Sequence, residues 1–213
     1  MINHQETITN SGNVNLDVHR DDIGAKMGMW LFLFTEVLLF GGMFLVYAVY
    51  RYKYPDQFHL AAMELNTNIG TLNTIILLTS SLTVAISISA LQKGSRVISL
   101  IMLSATLILA IMFLVNKYFE WTTKFEHGIF PGSKELLNKP NGQILFFGLY
   151  FVMTGLHALH VIIGMVVLTF MLVFIVKKSV TSDNCIKLEN SGLYWHLVDL
   201  IWIFLFPLFY LIQ

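Results

Sequence analysis

The stretch TIILLTSSLTVAISISAL, residues 74–91, carries no charged side chain and no alternation of apolar and polar positions. It sits inside a longer interval, from Glu64 to Lys93, that holds no Asp, Glu, Lys or Arg between its two ends. A strand of a membrane barrel would place polar residues at every second position. A helix bonds its own backbone internally, so surrounding hydrocarbon asks only that its side chains be apolar. The stretch therefore reads as a membrane-crossing helix, and FMLVFIV at 170–176 reads the same way.

Working outward, the remaining charges bracket four more intervals of this kind. Between Lys26 and Arg51 the only charge is Glu36, and there is none from Arg96 to Lys117 or from Lys139 to Lys177. After Glu189 the only charge is Asp199. A hydrocarbon core of roughly 30 Å is crossed by about 20 residues at about 1.5 Å each, so each interval holds one span. The expected fold is all-α, an integral membrane bundle of five transmembrane helices at 27–50, 69–91, 97–119, 143–176 and 193–212. The fourth is longer than a perpendicular crossing needs, so it tilts or projects beyond the bilayer.

Composition agrees. Of 213 residues, 56% are hydrophobic and 12% charged, where an ordinary soluble domain has about 25% charged. Residues 1–26 form a polar segment ahead of the membrane domain at 27–213, with no cleavable signal pattern, so the first helix is expected to act as the insertion signal. With the N-terminus placed in the cytoplasm, that side carries Arg20, Lys26, Lys93, Arg96, Lys177, Lys178 and Lys187, against Arg51, Lys53, Lys117, Lys124, Lys134 and Lys139 outside. The short loop QKGSR tips this near balance towards a cytoplasmic N-terminus and a periplasmic C-terminus.

The lone cysteine, Cys185, removes disulfide frameworks and thiolate-rich metal sites, and CxxCH and glycine-rich phosphate loops are lacking. What remains is a small set of polar residues within the spans, each costly in hydrocarbon. Glu36 lies near the centre of the first helix; it is either a protonatable site or, the reading preferred here, an interhelix hydrogen bond that fixes packing. His157 and His160, three apart, share a helix face, a spacing that permits metal or haem ligation. Their only counterpart in another span is His196, near the start of the fifth helix and far from their depth, so hydrogen-bonding histidines are preferred over ligands. His196 and Asp199 share a face and read as a proton relay or, by preference, a pair docking the last helix. Glu120, ending the third helix beside Trp121, reads as an interfacial anchor. Pro207 is expected to kink the last helix.

Five strings in order, GMWLFLFTEVLLFGGMF at 28–44, LNTIILLTSS at 72–81, KYFEW at 117–121, GLYFVMTGLHALHVIIG at 148–164 and SGLYWHLVDLIWIFLF at 191–206, resemble successive helices of subunit III of the haem-copper respiratory oxidases. The resemblance runs from about Gly28 to Leu211. It implies a non-catalytic subunit without redox cofactors, seated against catalytic subunit I with subunit II nearby, its haem and copper held by those partners. It implies support of proton uptake and of catalytic durability during aerobic respiration and electron transport, and association with membrane phospholipid but not nucleic acid. Glu36 matches the family's buried glutamate, and Glu120, His157, His160, His196 and Asp199 fall on family motif positions, proton-linked or structural.

Many family members have seven helices, with lipid in a cleft between the first two and the rest, whereas this chain matches from the third onward. The short form suggests a bacterial inner membrane, and leaves one wall of that cleft to come from elsewhere. Within the family, a quinol oxidase subunit and the accessory protein of nitric oxide reductases compete with cytochrome c oxidase. Outside it, a small membrane transporter and a b-haem electron carrier are the alternatives, separable by whether the isolated chain stands alone or is coloured.

Overall fold

The computed structural model describes residues 6–180 and 184–212, with side chains from residue 23 onward. Among the described residues the secondary structure is entirely helical: α1 Glu6–Lys53, α2 Pro55–Ala62, α3 Thr67–Gln92, α4 Arg96–Glu126, α5 Lys134–Leu137, α6 Asn141–Val176 and α7 Ile186–Tyr210. Five stretches are long and apolar enough to cross a membrane: Ile23–Lys53, Thr67–Gln92, Arg96–Glu126, Asn141–Val176 and Ile186–Tyr210. The chain is an integral membrane protein, as the charge-free intervals require.

The helix ends follow local chemistry. Asn66 caps α3, its side chain accepting from the backbone N–H of Asn68 at 3.0 Å and of Ile69 at 3.4 Å. Pro55 opens α2, where a missing N–H costs nothing. Between α3 and α4 the chain turns at Gly94, whose φ of 79° is a left-handed conformation that side chains with a Cβ resist. Three ends differ most from the spacing-based expectation. Helix α1 begins at Glu6 rather than at Met27, α4 runs past Lys117 and Phe119 to Glu126, and α7 begins at Ile186 rather than at Leu193. In each place charged residues continue the helix, because a helix needs intact backbone bonds, not apolar side chains, to propagate.

Residues up to Leu38 and from Leu39 onward form two units. In the first, α1 exposes Trp30, Leu31 and Phe34, and Thr35 Oγ1 donates to the Phe32 carbonyl at 2.7 Å. The second unit is built around α7. Its helix α3 pairs with α4 through small polar residues: Thr83 Oγ1 and Thr106 Oγ1 lie 2.8 Å apart, and Ser87 Oγ donates to the Ser99 carbonyl at 2.9 Å. Asn116 Nδ2 donates to Asn73 Oδ1 at 2.9 Å in the same seam. In lipid no hydrophobic effect draws helices together, so close packing of small residues and such bonds supply the attraction.

Helix α7 is held by rings. Trp195 Nε1 donates to Ser80 Oγ at 3.1 Å and Trp202 Nε1 to Thr74 Oγ1 at 3.0 Å, both on α3. Tyr47, Phe58, Phe146, Tyr150 and Phe209 form an edge-to-face cluster joining the end of α1 to α2, α6 and α7. The Tyr47 hydroxyl also donates to the Leu208 carbonyl, which ties α1 to the end of α7. The outward faces carry Leu82, Ile108 and Phe170, among other large apolar side chains that hydrocarbon accepts and water would not.

Gly164 sets the distance between α6 and α7. A Cβ there would lie 2.9 Å from Cε3 and 3.0 Å from Cζ3 of Trp195, a buried ring fixed by its bond to Ser80. Gly164→Val is therefore expected to force the helices apart and cost about 1–3 kcal/mol, the usual range for overpacking. Thermal unfolding in detergent would check it; a midpoint equal to that of the parent would contradict the contact.

Candidate functional site

The densest buried polar group lies where α4, α6 and α7 meet. Lys117 and Glu120 sit one turn apart on α4, 3% and 7% exposed, inside the membrane-spanning stretch. The Lys117 ammonium donates to Glu120 Oε2 at 3.1 Å, to the Tyr150 hydroxyl at 3.1 Å and to the Tyr210 hydroxyl at 2.7 Å. Both phenols in turn donate to Glu120 Oε1. An ammonium has three N–H donors and a carboxylate only accepts, so every proton and every carboxylate oxygen in this knot has a partner. The Lys117 ammonium also lies 5.2 Å from the centre of the Trp202 ring. Charge is thus neutralised locally, by ion pairing, hydrogen bonds and aromatic faces.

This corrects the reading of Glu120 as an interfacial anchor. Its helix continues beyond it and its carboxyl points inward to three partners. Spacing along the chain does not mark Lys117, Tyr150, Tyr210 and Trp202 as one cluster. KYFEW places Lys and Glu at helical spacing, but a charge count reads Lys117 as the cation closing an apolar interval. Lys124, which the same charge count reads as a loop cation, is 7% exposed within α4 and donates to the Glu64 carbonyl at 3.0 Å.

The two α6 histidines do not converge. His157 is fully buried, edge-on to Phe113 of α4 at 5.7 Å and tilted against Trp202 of α7 at 5.3 Å. Neither of its ring nitrogens has a hydrogen-bond partner among the described residues, so aromatic packing replaces the expected hydrogen bond. His160 faces Phe40 of α1 at 5.4 Å, and its Nδ1 lies 2.8 Å from the Leu156 carbonyl. Tyr194 of α7 reaches the His160 carbonyl at 3.2 Å. Because α7 begins earlier than expected, the depth separating His196 from α6 is smaller than spacing suggested. What keeps them apart is direction: His196 turns to α3.

The expected His196 to Asp199 pair is replaced by a contact to α3: His196 Nδ1 lies 2.6 Å from Ser81 Oγ, while Asp199 Oδ1 is buried with no hydrogen-bond partner among the described residues. Asp199 is 5% exposed. Docking of α7 thus runs through α3, which the i,i+3 spacing on α7 alone does not reveal. Glu36 is half-buried on an otherwise mostly exposed part of α1 in the first unit. Among the described residues no group of three or more His, Cys, Asp or Glu side chains is arranged to hold a metal ion. Cys185, just outside α7, donates to Glu189 Oε1 at 3.2 Å, and burial together with that carboxylate raises its thiol above the usual cysteine range.

Comparison with known proteins matches residues 4–213 to the family model for cytochrome c oxidase subunit III. Over 195 residues the chain is 32% identical to a protein of Aeropyrum pernix named heme-copper oxidase subunit I+III, which covers 88% of this chain and 22% of that one. It is 32% identical over 193 residues to cytochrome c oxidase subunit 3 of Allomyces macrogynus, covering 86% of this chain and 64% of that one. It is 30% identical over 189 residues to the probable quinol oxidase subunit 3 of Staphylococcus saprophyticus, covering 88% of each. The chain therefore spans less than two thirds of the length of the first two relatives and most of the third. With five span-length helices and a match along nearly its whole length, the chain belongs to the cytochrome c oxidase subunit III family.

Proposed function

We propose that the chain is the non-redox accessory subunit of a haem-copper terminal oxidase, seated against catalytic subunit I with subunit II in the same complex. The observation that carries this reading is the family match over residues 4–213. The Aeropyrum pernix relative, whose name joins subunits I and III, supports subunit I as the partner. Haem and copper then belong to the partner subunits, and this chain contributes packing, lipid contact and support of proton uptake. A bacterial inner membrane is the proposed location. The orientation proposed is N-terminus in the cytoplasm, favoured once Lys117 and Lys124 are taken as buried helix residues and no longer as loop charges.

A second reading concerns the electron donor. Relatives named quinol oxidase subunit 3 in Staphylococcus saprophyticus and Bacillus subtilis favour a quinol oxidase as strongly as Allomyces macrogynus favours a cytochrome c oxidase. The test for both is purification of the tagged chain in mild detergent. A coloured partner should accompany it and the stripped chain should be colourless; oxygen consumption with quinol or with reduced cytochrome c then assigns the donor. Nitric oxide consumption without oxygen consumption would move the complex to the reductases, and a chain purified alone in stoichiometric yield would point to a transporter.

Glu36 is the proposed proton-linked or packing residue of α1. Glu36→Gln keeps shape and hydrogen-bonding capacity without titration, and Glu36→Ala removes both. If titration matters, both variants lose activity faster over successive turnovers; if packing matters, only the alanine variant does, with weaker subunit retention. In neither case is a haem band expected to fall while the subunit stays bound.

A further inference from the structure

Towards the end of α4, charged side chains follow one another from the interior to the surface. Lys117, Glu120 and Lys124 stand on one face of α4, and beyond them lie Glu64, ahead of α3, and Lys139, ahead of α6. Lys117 pairs with Glu120 at 3.1 Å and Lys139 with Glu64 at 2.6 Å. Lys124 belongs to neither pair. It is 7% exposed, and its ammonium has three N–H donors, of which one goes to the Glu64 carbonyl at 3.0 Å. The other two meet no acceptor among the described residues. The centre of the Phe147 ring lies 5.7 Å from the Lys124 ammonium and 5.4 Å from that of Lys139. The charges close enough to act on Lys124 are Glu120, Glu64 and Lys139, while Glu126, the next acid along α4, is exposed. Three ammonium groups against two carboxylates leave one positive charge unmatched, and a buried charge without a counter-charge is strongly unfavourable.

We propose that Lys124 holds one small monovalent anion of the chloride class, with Lys139 at the rim of the site. The inference goes beyond the accessory-subunit reading and does not depend on which partner the chain has. One unmatched charge calls for one monovalent ion; a divalent anion would reverse the excess, and the Glu64 carboxylate beside the site repels it. An ammonium 7% exposed is reached by a compact ion and not by a bulky organic one. The ion has a way in. From Lys117 to Lys124 the helix advances roughly 10 Å towards the surface, and the Lys139 and Glu64 side chains next to Lys124 are 27% and 33% exposed. The Lys124 donors that meet no protein acceptor are the ones that would bind the ion, as charge-assisted hydrogen bonds.

The test is thermal unfolding of the detergent-solubilised protein, together with the partners that accompany it, as chloride is replaced stepwise by gluconate at constant ionic strength. The parent midpoint should rise saturably with chloride, by about 2–4 °C at full occupancy, and bromide should substitute for chloride. Lys124→Met and Lys139→Gln each restore the balance of charge, so both should lose the dependence, the second with Lys124 still in place. Glu64→Gln adds to the excess and should saturate at about tenfold lower chloride. A parent midpoint indifferent to chloride overturns the proposal, whether Lys124 has given up its proton or a partner's carboxylate covers it. Full chloride dependence in Lys139→Gln overturns it as well. Crystals of the parent grown in bromide give the direct reading: an anomalous peak beside Lys124 Nζ is expected, and a map with bromide only elsewhere, an adventitious ion only, overturns the assignment.

Discussion

Lys117→Met is expected to destabilise the chain by about 3–5 kcal/mol, the cost of stripping a buried charge of its partner. The variant leaves the Glu120 carboxylate inside the membrane with only two phenol donors, and it leaves both phenol oxygens without the ammonium they accept from. Glu120→Ala should cost as much, because the ammonium then has no counter-ion in an apolar span. Since the two residues form one unit, their effects should not add. Lys117→Met combined with Glu120→Gln removes both charges and keeps an oxygen for the tyrosines to donate to. The double variant is expected to be more stable than the Lys117→Met single variant by roughly 1–3 kcal/mol, the coupling typical of groups in one network. Unfolding of the purified chain in detergent, together with its retention in the complex, reads both quantities. A Lys117→Met protein as stable as the parent would show that the knot holds nothing together.

The second large effect is expected at Trp202. This ring is fully buried and touches Phe113 of α4 edge-on at 4.9 Å, His157 of α6 at 5.3 Å and Tyr210 of its own helix, while its Nε1 bonds Thr74 of α3. Four helices therefore meet on one side chain. Trp202→Ala should cost about 3–5 kcal/mol, since a cavity of that size among rigid helices collapses only in part. Trp202→Phe keeps most of the ring and loses the bond to Thr74, so about 1 kcal/mol is expected. If the proposed accessory role holds, both should leave haem and copper spectra of the complex intact wherever the subunit remains bound. Equal stability of the alanine variant would mean that α3, α4, α6 and α7 are held by contacts elsewhere.

The knot also explains how a lysine and a glutamate are tolerated where hydrocarbon would reject either alone. Each ionisable group in a spanning helix is expensive, so such groups survive in pairs that face protein. Lys117 and Glu120 meet that condition by their own helical spacing, and Tyr150 and Tyr210 complete it from α6 and α7. His196 faces protein in a different way, against Ser81 of α3.

The sequence by itself determined the class of fold and the family. Hydrocarbon imposes a local rule, about 20 apolar residues per crossing, so the intervals around 74–91 and its counterparts could be counted without knowing any neighbour. The ordered strings from GMWLFLFTEV to YWHLVD carried the family in the same one-dimensional way. Which polar residue meets which was decided only by tertiary structure. Spacing says that His157 and His160 share a face of α6, but the rotation of α6 against α1, α4 and α7 sends one to Trp202 and the other to Phe40. Spacing likewise pairs His196 with Asp199, while the register of α7 on α3 gives His196 to Ser81. Lys117 read as a loop charge because a count of charges along the chain sees where a residue stands and not what it faces; the partners that make it a core residue come from sequence positions 33 and 93 residues away.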